Sequence, residues 1–192
     1  MRKMVLEPTS LAQWHALIEE ARASSSVALS EDLQSYLIFL LMRFSKNPEV
    51  ATSVLALDFL QNIKKLKTEN QQALRDVGDK CLLSAGLFPG RAKRRVQLSY
   101  YVELGQQAYS SVSVYHKNQL SELFSNLCYH FVGLMDVLHA VRELDTSTHL
   151  LDLLEAEDLW NTTQSEHALK VLRQSTTGFF IPRDPTNPLQ KH

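Results

Sequence analysis

Helix-periodic segments with almost nothing to interrupt them are the feature that most limits what this chain can fold into. Only six glycines and six prolines punctuate 192 residues, and Pro182, Pro185 and Pro188 all fall near the C-terminus. Glycine and proline are the strongest local signals for turns, so the chain reads as long helices with short joints over 1–175, followed by a Pro-rich tail over 176–192. Apolar residues recur three and four apart throughout, the spacing of one helix face. The predicted fold class is all-α: a single-domain bundle of about six to eight helices, with the tail folded back on it. A composition of 44% hydrophobic and 21% charged residues supplies enough apolar surface for one core.

The boundaries follow from capping chemistry. The first predicted helix, Ser10 to Ala23, places Leu11, Trp14 and Leu17 or Ile18 inward. The next starts at the cap Ser30, carries Glu31 and Asp32 in its first turn where the helix dipole favours acids, and runs to Ser45. Its run Tyr36 to Met42 is apolar on nearly all sides, which predicts a place at the centre of the bundle. Asn47, Pro48 and Glu49 open a third helix, with Val50, Val54 and Leu57 inward. Thr68 and Gln71 have capping-box spacing and open a fourth helix that ends near Gly86. A fifth spans Gln97 to Tyr115. The sixth is read as one helix from Gln119 to Glu143, roughly 37 Å long at 1.5 Å per residue. Two shorter helices, Thr148 to Trp160 and Ser165 to Arg173, precede the tail. Gly78 and Gly105 are costly inside helices, which predicts close backbone approach between the fourth and fifth helices as an antiparallel hairpin.

The stretch from Asp76 to Pro89, the stretch from Ser99 to Tyr109, and the upstream Tyr36 to Phe44 resemble an uncharacterised family of small, mainly proteobacterial, helical proteins. The resemblance implies a bacterial origin and makes residues 76–109 the signature region. It brings no catalytic residues.

A net charge of −1 provides no global field toward nucleic acid or an anionic membrane. The longest apolar run is seven residues, against about 20 for a membrane span. Cys81 and Cys128 sit among leucines in helical patterns and read as small core residues. These features predict a cytoplasmic protein that does not engage a membrane.

Catalytic motifs are missing from the sequence. It contains no Glu-x-x-His, no Gly-x-Ser-x-Gly, no phosphate loop and no Gly-x-Gly-x-x-Gly, and Cys128 and His130 are too close along a helix to form a nucleophile and base pair. Asp136, His139 and Glu143 share one helix flank, which reads as a solvated face with an ion pair. No catalytic residue, cofactor or metal is therefore predicted, and the chain reads as a non-enzymatic interaction or regulatory protein that binds a protein partner or itself. The alternative is a small-molecule binder or enzyme with a pocket between the helices around 68–86 and 97–115, where acids, tyrosines and glycines concentrate.

The candidate residues for a ligand or interaction site are Asp76, Asp79, Arg91, Lys93, Arg94, Arg95, Tyr100, Tyr101, Glu103 and Tyr109. The basic run Arg91 to Arg95 beside Tyr100 and Tyr101 is thin support for nucleic acid on a near-neutral chain. The run reads first as a solvated helix start; as a binding surface it suits an acidic protein surface better than nucleic acid, and residues 143–158 offer one. Asp79 shares its flank with Leu82 and Leu83 and is predicted to be drawn inward, bonded to a tyrosine hydroxyl or to Arg94 or Arg95. Tyr101 and Tyr109 are expected to face it.

Overall fold

The computed structural model describes residues 10–25, 27–46, 71–89, 97–115, 117, 119–144 and 151–175. The predicted helix opening at Asn47, the cap Thr68, the basic run Arg91 to Arg95 with Lys93 and Arg94, and the 176–192 tail all lie outside these residues. The fold class is all-α: among the described residues there are eight helices and no strand. They are α1 (Ser10–Ser25), α2 (Glu31–Lys46), α3 (Gln71–Leu87), α4 (Leu98–Tyr115), α5 (Gln119–Tyr129), α6 (Phe131–Glu143), α7 (Leu153–Thr163) and α8 (Glu166–Ser175).

The Ser30 cap acts where the sequence places it, whereas the helix expected from Thr148 to Trp160 is capped at Asp152 and runs from Leu153 to Thr163. The Ser30 hydroxyl accepts from the Leu33 amide at 3.4 Å as α2 begins, with Glu31 and Asp32 in the first turn. α7 opens on a reciprocal box, in which the Asp152 carboxylate accepts from the Glu155 amide at 2.8 Å and Glu155 accepts from the Asp152 amide at 3.0 Å. That box uses two acids of the segment 143–158 for local structure.

The centre of the bundle is α3 rather than α2. From Val77 to Leu87 every residue but Lys80 is buried, and α6 buries an unbroken run from Leu134 to Ala140. On α2, by contrast, Phe39 is 61% exposed, so the helix that looks apolar all round still has a solvent side. The most extensive helix contact joins α3 and α4. Gly78 lies against Tyr109 and Cys81 against Gly105, partner numbers falling as residue numbers rise, so the two helices are antiparallel as expected. Tyr36 and Arg43 of α2 both reach α3, and Phe44 stacks edge-on with Phe88 just beyond its end.

The glycines make room for aromatic rings, where the sequence suggested backbone against backbone. A Cβ on Gly78 would sit 2.5 Å from Tyr109 Cε1, and one on Gly105 would overlap the Phe131 ring. The single helix expected from Gln119 to Glu143 is interrupted at His130, whose φ of −92° and ψ of 14° leave the helical region. Hydrogen bonds continue on both sides, from His130 N to Asn126 O and from Leu134 N to His130 O, both at 2.9 Å. The helix is therefore broken at this one residue, and the two halves serve different neighbours: α5 packs on α4, whereas α6 packs on α3 and α1.

Candidate functional site

Asp79 is the polar centre of the molecule. Its carboxylate is 1% exposed, held inward by Val77, Cys81, Leu82 and Leu83 around it on α3. Oδ1 accepts from the Tyr36 hydroxyl of α2 at 2.6 Å and from the Tyr109 hydroxyl of α4 at 2.8 Å. Oδ2 accepts from the Arg43 guanidinium of α2 and lies 3.8 Å from Arg75 Nε. Arg75 also donates to the Tyr36 hydroxyl at 3.2 Å, its guanidinium 5.3 Å from the Tyr36 ring centroid. Three helices, α2, α3 and α4, thus meet on one carboxylate.

The electrostatics of this cluster are those of a clamp. Burial pushes the Asp79 carboxyl up from its ordinary range, opposed by the Tyr36 bond, the Arg43 charge, the Tyr109 bond and the Arg75 charge. Burial and the nearby carboxylate push the Tyr36 and Tyr109 hydroxyls well above their usual values, so both remain donors. The carboxylate is enclosed with its partners, which suits fixing helix positions more than proton transfer to a substrate.

The predicted site residues separate accordingly. Asp79 and Tyr109 come together as foreseen, and Tyr36 joins Tyr109 as a second tyrosine donor. The cations that the structure brings to Asp79 are Arg43 and Arg75; Arg91, Lys93, Arg94 and Arg95 lie outside the described residues. Asp76 is half-buried at the edge, 3.6 Å from Arg43 and accepting from Gln72 Nε2 at 3.1 Å. Tyr101 is buried, Tyr100 half-buried with its ring centroid 6.3 Å from that of Tyr101, and Glu103 exposed. Between α3 and α4 the Tyr109 and Phe131 rings fill the space beside the glycines. Glu103 lines a shallow groove with Ser99, Val102 and Gln106 of α4, Val132 of α6 and Thr162 and Thr163 of α7.

A second buried polar cluster corrects the reading of Asp136, His139 and Glu143 as a solvated flank. Asp136 and His139 are each 1% exposed. Asp136 accepts from the Ser165 hydroxyl at 2.6 Å and from the His167 amide at 3.3 Å, while the Ser165 hydroxyl accepts from the Ala168 amide at 3.0 Å. A carboxylate from α6 therefore caps the start of α8, where the helix dipole favours negative charge. His139 Nε2 donates to the Ala85 carbonyl at 2.8 Å, and its Nδ1 has no hydrogen-bond partner among the described residues. The His167 ring centroid lies 5.0 Å from that of His139, and its Nε2 is 3.3 Å from Glu143 Oε1. Burial raises Asp136 to about 6 against its bonds to Ser165 and His167, and burial lowers His139 to about 3. Among the described residues no three His, Cys, Asp or Glu side chains are arranged to hold a metal ion. Cys81 is buried and Cys128 half-buried, and both are free thiols.

No family model, curated protein or solved structure matches this chain.

Sequence reasoning missed Tyr36, Arg43, Arg75, Ser165 and His167. A signal existed for the first: a tyrosine heading an otherwise apolar run carries a hydroxyl that must find a partner once buried. Arg43 follows it by two turns on the same flank. Arg75 precedes Asp79 by one turn, the spacing of an intrahelical ion pair.

Proposed function

We propose that this protein is a cytoplasmic, non-enzymatic helical interaction or regulatory protein of bacterial origin, whose partner is another protein or a second copy of itself. One observation carries the reading: Phe39, 61% exposed, and Leu120, 51% exposed, line one groove together with Leu123 between α2 and α5. Single exposed apolar residues are ordinary, whereas adjacent ones in a concave surface mark interaction sites. The buried polar groups support the same reading, because Asp79 and Asp136 spend their acceptors on helix packing and capping. Among the described residues no helix is long and apolar enough to cross a membrane.

Photocrosslinking tests this directly. A photoreactive amino acid replacing Phe39 in the full chain should yield a discrete protein adduct or a crosslinked dimer in cells of the source organism. No protein adduct, together with a stoichiometric small molecule retained in native mass spectrometry, would overturn the reading in favour of a ligand-binding protein.

A further inference from the structure

The groove between α2 and α5 is lined by Asp32, Tyr36 and Phe39 on one side and by Leu120, Glu122 and Leu123 on the other, with a volume of about 550 Å³. Its lining runs from Asp32 to Phe39 along α2 and from Gln119 to Asn126 along α5. At 1.5 Å per residue each wall is roughly 10 Å long, or about two helical turns. A groove of this length, with Phe39, Leu120 and Leu123 set among the polar Ser35, Gln119 and Asn126, suits an amphipathic helix laid along it, anchored by side chains at i, i+3 or i+4, and i+7.

The sign of the rim selects the occupant. The lining charges, Asp32 and Glu122, are both negative, and Glu31 adds a third acid in the first turn of α2. α2 and α5 also begin here, and each helix start contributes roughly half a positive charge. Among the described residues, the three full negative charges outweigh the roughly one positive charge of the two helix starts together with the exposed Lys117 two residues before Gln119, so the rim keeps a net negative sign. The cations nearest on α2 and α3, Arg43 and Arg75, face Asp79 behind the Tyr36 ring. An acidic rim repels phosphate, which disfavours nucleic acid and anionic lipid, and attracts Lys and Arg.

Building on the interaction reading above, we propose that the α2–α5 groove is the docking site for a cationic amphipathic helix of a partner protein. Its apolar stripe covers Phe39, Leu120 and Leu123, and its basic residues meet Asp32 and Glu122. Tyr36 forms the floor, so the occupant rests on the ring whose hydroxyl holds Asp79.

Two stapled helical peptides of three to four turns serve as probes against the full chain, with the same leucine stripe and either lysine or glutamate on the flanks. Fluorescence anisotropy should show the lysine peptide binding about tenfold or more tightly at low salt, with the difference shrinking as salt is raised. Phe39→Ala with Leu120→Ala should abolish that binding without moving the melting temperature. Asp32→Lys with Glu122→Lys should reverse the preference toward glutamate. Equal binding of both peptides, or lysine-peptide binding unchanged by Phe39→Ala with Leu120→Ala, overturns the proposal. A wild-type dimer in sedimentation equilibrium that the same double variant dissociates, and that neither peptide displaces, makes a second copy the occupant; the proposal then falls while the interaction reading stands. Absence of peptide binding, dimer and Phe39 adduct removes both.

Discussion

Replacing Asp79 by alanine removes the acceptor on which three helices converge, and the cost can be worked from its donors. Tyr109 is fully buried, and its hydroxyl would lose its acceptor where water does not reach. A stranded buried donor of this kind costs about 1–3 kcal/mol. Tyr36 also loses its acceptor, since Arg75 donates to it and cannot take its proton, but at 8% exposed it lies closer to water than Tyr109 and its hydroxyl adds less. Arg43 and Arg75 have side chains 39% and 40% exposed and can recover water, which puts their loss in the range of screened pairs, about 0–1 kcal/mol each. The expected total is about 2–4 kcal/mol, against about 0–1 kcal/mol for Asp76→Ala, an acid of the same helix whose side chain is 40% exposed. Urea denaturation of both variants at neutral pH measures the difference through the midpoint at constant slope. Combining Asp79→Ala with Tyr109→Phe should cost less than the sum of the single changes, because the stranded donor is gone. If Asp79→Ala proves no more damaging than Asp76→Ala, or if the double variant is additive, the clamp does not hold the helices in the way described.

Three further expectations concern the rest of the core. Gly78→Ala gains about 1 kcal/mol of helix propensity but presses a methyl group on a Tyr109 ring pinned by Asp79, an overpacking cost of about 1–3 kcal/mol; a net loss in urea melts is expected, and a gain would show that the ring can retreat. Ser165→Ala removes the hydroxyl that joins Asp136 to the start of α8 and should cost about 1–2 kcal/mol by thermal or urea unfolding, with a cost near zero showing that the cap is ornamental. The third expectation concerns pH. His139, lowered to about 3 from an unfolded value of 6.5, contributes stability that is complete above 6.5 and lost as pH falls toward 3. Asp136, raised to about 6 from 3.8, contributes stability that is complete below 3.8 and lost as pH rises through 6. Between pH 4 and 6 the two slopes oppose each other, so Asp136→Asn should unmask a fall toward acid of about 1.4 kcal/mol per pH unit relative to the parent; parallel profiles would refute the assignment.

What the sequence determines by itself is local. The periodicity of α1 to α4, the Ser30 cap and the acids in the first turn of α2 depend on residues within one or two turns, and such patterns read directly. Burial of Asp79 was legible for the same reason, because its apolar neighbours on α3 carry it inward whatever lies opposite. So was the α3–α4 hairpin, from two helices with glycines and a short connection. What lies opposite was decided by the tertiary fold. Tyr36 is 43 residues from Asp79 and Tyr109 is 30, and no local pattern says which hydroxyl or guanidinium arrives there. The same limit hid the rings that fill the spaces beside Gly78 and Gly105, since a glycine signals missing volume and leaves its occupant unspecified. It hid the break at His130, where an unbroken stripe divides between two sets of neighbours. It also made Asp136 and His139 look solvated, because their burial comes from α8 and the carbonyl of Ala85 rather than from their own helix. Helix formation is encoded in neighbours along the chain, whereas the pairing of polar groups in a bundle depends on which faces the assembled helices bring together.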